Sequence, residues 1–129
     1  MTLLFSILIV GAVIGILDAL WLTLVAKKIY SAEVGGIMRK KPSAVASAVF
    51  YVIYVVGVAV LIVMPDVHGS TEWYISALRG GLFGLVAYAT FSLTNLAVFK
   101  PFTLKVALPD IAWGAVMTAV AVTVATLVL

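Results

Sequence analysis

Four long apolar stretches, parted by short polar breaks, account for nearly the whole chain. They run over about residues 3–26, 43–64, 75–98 and 103–129. Each matches the roughly 20 apolar residues that a helix needs to cross a hydrocarbon core about 30 Å thick. The expected fold is therefore all-α, a single four-helix transmembrane domain over residues 1–129. The breaks carry recognisable stop and start signals. Lys27 and Lys28 close the first span, and a polar connection follows with Glu33, Gly35, Gly36 and the run Arg39-Lys40-Lys41. Pro42 and Ser43 open the second span, since proline suits a first helical turn that needs no backbone donor. That span ends near Met64-Pro65, and a loop from Asp66 to Glu72 with His68 leads to the interfacial pair Trp73-Tyr74. The turn Phe99-Lys100-Pro101 joins the third span to the fourth, where Pro109 predicts a kink.

Within the spans, the few polar and small residues fall on single helical faces. Gly11, Gly15, Asp18 and Leu22 share a stripe in the first, and Ala44, Ser47, Tyr51, Tyr54 and Val58 in the second. Gly80, Gly84, Tyr88, Ser92 and Asn95 align in the third, and Asp110, Gly114, Thr118, Ala121 and Ala125 in the fourth. Small residues spaced by four let helix backbones approach closely, so Gly11-x-x-x-Gly15 and Gly80-x-x-x-Gly84 read as packing seams. The polar stripes should turn inward and build one polar pocket.

Composition sharpens this picture. Of 129 residues, 65% are hydrophobic and 10% charged, far from a soluble domain's roughly half and a quarter. With no Cys and a single His, thiolate chemistry and a multi-histidine metal centre are excluded within one chain, and no cofactor is expected. The net charge of +3 comes from loop Lys and Arg, which set topology and touch lipid head groups. They do not form a nucleic-acid patch. The first connection holds Lys27, Lys28, Arg39, Lys40 and Lys41, the third holds Lys100 and Lys105, and the middle one holds none. The positive-inside rule then puts connections one and three in the cytoplasm and both termini on the non-cytoplasmic side, in a bacterial inner membrane.

Two acidic residues remain inside the spans, each three positions before a tryptophan: Asp18-Ala-Leu-Trp21 and Asp110-Ile-Ala-Trp113. An ionisable group in a span costs at least a few kcal/mol, about 3 even on lenient scales, so it needs a partner, a polar cavity or a task. At about 1.5 Å per residue, Asp18 lies roughly 13 Å from Lys27 and Asp110 roughly 7 Å from Lys105, both in the cytoplasmic half. The candidate lining is Asp18, Trp21, Tyr51, Tyr54, Tyr88, Ser92, Asn95, Asp110 and Trp113. Asp110, directly after Pro109, also has a plain reading as an acid at a helix N-terminus.

At these residues the chain resembles a bacterial family of predicted membrane proteins classed as a domain of unknown function. The shared motifs are Asp18-x-x-Trp21-Leu22, Phe50-Tyr51-x-x-Tyr54, the run from Tyr88 to Asn95, and Asp110-Ile111-Ala112-Trp113-Gly114. The family pattern carries Asp where this chain has Ser92, and Gly and Tyr where it has Ala89 and Phe91. The resemblance implies four spans and a common site but no activity.

Three roles are open to such a chain. The first is proton-linked transport or permeation of a small solute, in which a buried carboxyl exchanges a proton for the solute. Four short helices enclose little volume, so a pore would call for a homodimer or a larger membrane complex. The second is an accessory subunit binding lipid, pigment or a protein partner. The third is a membrane-embedded acid/base enzyme, an isomerase or cyclase on a lipid or isoprenoid, for which the chain carries no catalytic signature.

Overall fold

In the computed structural model, residues 1–38 and 43–129 are described. Residues 39–42, which hold part of the basic cluster and the proline start of the second span, lie outside them. Four helices are each long and apolar enough to cross a membrane: α1 (Thr2–Ile37), α2 (Ala44–His68), α3 (Trp73–Val98) and α4 (Leu104–Val128). No strand occurs among the described residues.

Two helices outrun their expected ends. Lys27 and Lys28 do not stop α1, which continues as helix to Val34 and a final tight turn at Gly35–Ile37. Charge ends the lipid-soluble stretch there without ending the helix, because the extension has its own packing. Val34 is buried with Phe102, Val106 and Ala107, flanked by Ile29, Tyr30 and Leu96. Likewise α2 runs past Met64-Pro65 to His68, so Asp66 and His68 are helical and the connection shrinks to residues 69–72. At the other end of α2, the Ser43 hydroxyl accepts from the Ala46 N–H at 3.2 Å and satisfies one orphan donor. The helix α4 starts at Leu104 and runs through Pro109. Asp110 is therefore its seventh residue, outside the first turn and beyond the reach of a helix-terminal explanation.

The helices α3 and α4 form a tight antiparallel hairpin, and glycine makes it possible. A Cβ on Gly84 would overlap the Gly114 carbonyl, and one on Gly80 would sit 2.8 Å from Val122 Cγ2. Against this hairpin packs α1, with Val10, Ile14, Met117, Ala121 and Val122 in the shared core. The close approach of α2 to α3 is concentrated at residues 59–63, toward the end carrying the middle connection. Its opposite end stands away from the bundle: residues 44–50 are all exposed.

Both α1 and α2 contain one wide, π-helical turn, at Leu22–Ala26 and Ala59–Val63. There the N–H of Lys27 bonds to the Leu22 carbonyl, and that of Met64 to the Ala59 carbonyl, five residues back. Such a turn accommodates one extra residue, and so rotates the remainder of the helix by about 100° relative to an unbroken α-helix. In α2 it directly precedes Pro65, which has no N–H to offer the Leu61 carbonyl. The register shift carries Asp66 inward, where it is 2% exposed and ion-paired with Arg79 of α3. The loop position expected for Asp66 is thus replaced by a buried one.

Candidate functional site

The half of the bundle nearest the first and third connections encloses a cavity of about 830 Å³ to which all four helices contribute. From α1 come Asp18, Trp21, Leu22 and Tyr30, and from α2 Ser47, Phe50, Tyr51 and Tyr54. Tyr88 and Phe91 belong to α3 and Asp110 to α4. Local sequence explains how these side chains reach it. Gly15 leaves room for the Tyr51 phenol, whose oxygen would lie 2.9 Å from a Cβ there, and the Tyr51 hydroxyl donates to the Gly11 carbonyl. The first glycine pair therefore receives a tyrosine and is not simply a helix-packing seam. Gly114 does the same for Tyr88, since any Cβ on it would strike the Tyr88 ring. Tyr54 is anchored by a hydroxyl pair with Thr118 at 2.6 Å, and its ring meets those of Phe83 and Tyr88 edge-on.

The two acids have different supports. Ser92, fully buried, donates to Asp110 Oδ2 at 2.7 Å. The indole Nε1 of Trp113 donates to Asp18 Oδ1 at 3.3 Å, a long bond at the edge of ordinary geometry. Trp113 also stacks on Trp21, with ring centroids 4.8 Å apart and planes 4° from parallel. The Tyr30 hydroxyl approaches Asp110 from α1. A carboxylate can accept about four hydrogen bonds, so both acids keep capacity for a ligand or a proton.

Of the nine residues the sequence singled out, Asp18, Trp21, Tyr51, Tyr54, Tyr88 and Asp110 line the cavity. Ser92 and Trp113 stand behind it as donors to the acids. Asn95 lies one turn further along α3 and neither lines the cavity nor bonds to either acid. Tyr30, Phe50 and Phe91 line the cavity as well; Phe50 and Phe91 belong to the shared motifs but not to the expected lining, and Tyr30 to neither. Tyr30 is twelve residues after Asp18, which regular α-geometry places about 120° away; the wide turn cuts this to about 20°. No sequence signal marks that turn.

Four apolar helices around an acidic, aromatic chamber define a small multi-pass membrane protein. The chain matches the family described as "Predicted membrane protein (DUF2177)" over residues 3–127, and it belongs to that family. No curated protein and no solved structure matches it.

Proposed function

We propose that the protein mediates proton-linked transport or permeation of a small solute across a bacterial inner membrane, with both termini on the non-cytoplasmic side. One observation carries this reading: Asp18 and Asp110, from the first and last helices, face one cavity large enough for a small molecule. The chamber can hold no, one or two protons on these acids, and a solute bound between them competes with those protons. Other titratable groups facing it are the phenols of Tyr30, Tyr51, Tyr54 and Tyr88. Beyond the cavity, toward the middle connection, Val10, Val58, Met117 and Val122 fill the core, so access in this conformation is one-sided. Passage requires that core to part, or a second copy to complete the route.

Proteoliposomes loaded with a pH-sensitive dye test the reading. A pH gradient is imposed, and choline, glycerol or acetate is added outside. Wild-type protein should couple internal pH change to at least one of these solutes, and Asp18→Asn or Asp110→Asn should abolish the coupling. Each substitution retains an acceptor for Trp113 or Ser92, so the variants should fold. Flux equal to that of protein-free vesicles for all three solutes, or flux indifferent to both substitutions, refutes it.

A single feature favours a second role, a binding protein for a membrane amphiphile: the walls are largely aromatic. Solute binding without any flux would select that role.

A further inference from the structure

The cavity has an opening whose position restricts what can enter. On α2, residues 44–50 are exposed all round, and close approach of α2 to α3 is concentrated near the opposite end, at 59–63. Ser47 and Phe50 of α2 line the cavity, as do Ala87 and Phe91 of α3. Phe50 and Phe91 are each 53% exposed, although both line the chamber. In a bilayer this side of the bundle meets lipid, not water. A route between α2 and α3 would lead from the acyl region, past Phe50 and Phe91, to the acids within.

Charge and surface chemistry narrow the occupant further. Among the described residues, Asp18 and Asp110 are the only charged side chains lining the cavity, and both are acidic. An anionic ligand would meet repulsion without a compensating cation. The rings of Trp21, Tyr30, Tyr51, Tyr54 and Tyr88 surround the acids. Aromatic faces attract cations, most strongly when desolvated, and they also pack well against apolar groups. The volume suits a molecule of drug size and far exceeds what a bare ion needs.

We propose that the ligand is a membrane-partitioned amphiphile with a cationic head, which enters sideways between α2 and α3 and pairs its charge with Asp18 and Asp110. This deepens the transport reading at the same site and rests on it only for the site's location. When the head pairs with a protonated acid, the carboxyl O–H bond breaks and its proton leaves to water; no other bond changes.

Tetraphenylphosphonium, a lipophilic cation, and tetraphenylborate, its anionic counterpart, are suitable probes. In a Trp73→Phe background, the remaining indoles are Trp21 and Trp113, both at the site. The phosphonium should quench their fluorescence saturably in nanodiscs and bind more weakly as pH falls. The Asp18→Asn/Asp110→Asn double variant should weaken it tenfold or more, and the borate should show no saturable binding. Comparable binding of the borate, or unchanged phosphonium affinity in the double variant, overturns the ligand class. Should the double variant fail to fold, Asp110→Asn alone, which keeps the Ser92 bond, takes its place under the same criteria. Access is tested separately. The chain has no cysteine, so Phe50→Cys/Phe91→Cys can be bridged by a bifunctional thiol reagent. Bridging should slow phosphonium binding at least tenfold relative to the unbridged variant, and an unchanged rate overturns the lateral route. Saturable phosphonium binding without flux would sink transport and leave this proposal standing. Flux of glycerol or acetate with no cation selectivity would do the reverse.

Discussion

Deleting Thr23 probes the wide turn in α1 directly. In a regular helix, removing one residue rotates everything beyond it by about 100° and shortens the helix by about 1.5 Å. On a Cα radius of about 2.3 Å, that rotation moves each Cα by about 3.5 Å, and side-chain tips about 5.5 Å from the axis by about 8 Å. Such a change should ruin a packed span. Thr23 lies within the wide turn at Leu22–Ala26, is exposed, and bonds only to carbonyls of its own helix, Ala19 and Leu20. Its removal should convert the wide turn to an α-turn while Asp18 and Tyr30 keep their common face. The comparison is deletion of Ala12, also exposed but in regular helix, which should swing the fully buried Ser6 and Val10 out of the core. Loss of well-packed core side chains costs about 2–5 kcal/mol each. Thermal unfolding in detergent, followed by circular dichroism, should place the Thr23 deletion near wild type and the Ala12 deletion far below it. Phosphonium quenching of Trp21 and Trp113 should survive only in the former. Equal damage from both deletions would refute the inserted-residue account of how Tyr30 reaches the cavity.

Other substitutions test the packing around that site. Gly84→Ala should destabilise by about 3 kcal/mol or more, because overpacking costs about 1–3 when side chains can yield and here a backbone carbonyl stands in the way; Gly81→Ala, whose Cβ would meet Ala119 Cβ at 3.7 Å, should be neutral or slightly stabilising in the same unfolding assay. Arg79→Ala strands the buried Asp66 carboxylate; because Arg79 is itself about half exposed, the loss in thermal stability should correspond to about 1–3 kcal/mol, below the 3–5 of a fully buried pair. Tyr54→Phe should cost about 1–3 kcal/mol by leaving the Thr118 hydroxyl buried and unpaired, whereas Tyr54→Phe/Thr118→Val should recover most of it, and a double-mutant cycle showing no coupling would refute the bond.

Helical geometry determines which features the sequence could disclose. Hydropathy alone yields four spans, because lipid requires every backbone donor to be satisfied within its own helix. Asp18 and Asp110 stand out because a charge among apolar neighbours is conspicuous at any register. Tyr30 and Asp66 do not, since each lies beyond a wide turn, and a period of 3.6 carried through such a turn assigns the wrong face. The Lys27-Lys28 pair misled in another way: it marks where the apolar stretch ends, while the helix ends where the packing of Val34 on Phe102 ends. Phe50 and Phe91 belong to the shared motifs but fall off the inward stripes, and they line the site where α2 leans away from α3.

The paired Asp-x-x-Trp motifs invite a symmetric reading, in which two copies of one element face each other across the bundle. Their contacts are crossed and unequal. Trp113 of the second motif donates to Asp18 of the first, and its ring lies flat on Trp21. Asp110 takes its bond from Ser92 of α3 and has no matching indole among the described residues. An indole N–H can only donate, so Trp113 supports Asp18 as an acceptor in either protonation state. A serine hydroxyl can donate or accept, so Ser92 can serve Asp110 both as carboxylate and as acid. Two acids in one chamber, one with a fixed donor and one with an adaptable partner, are thus unequal. The adaptable pair, Asp110 with Ser92, keeps its hydrogen bond with or without the acid's proton, whereas Trp113 offers Asp18 a donor alone.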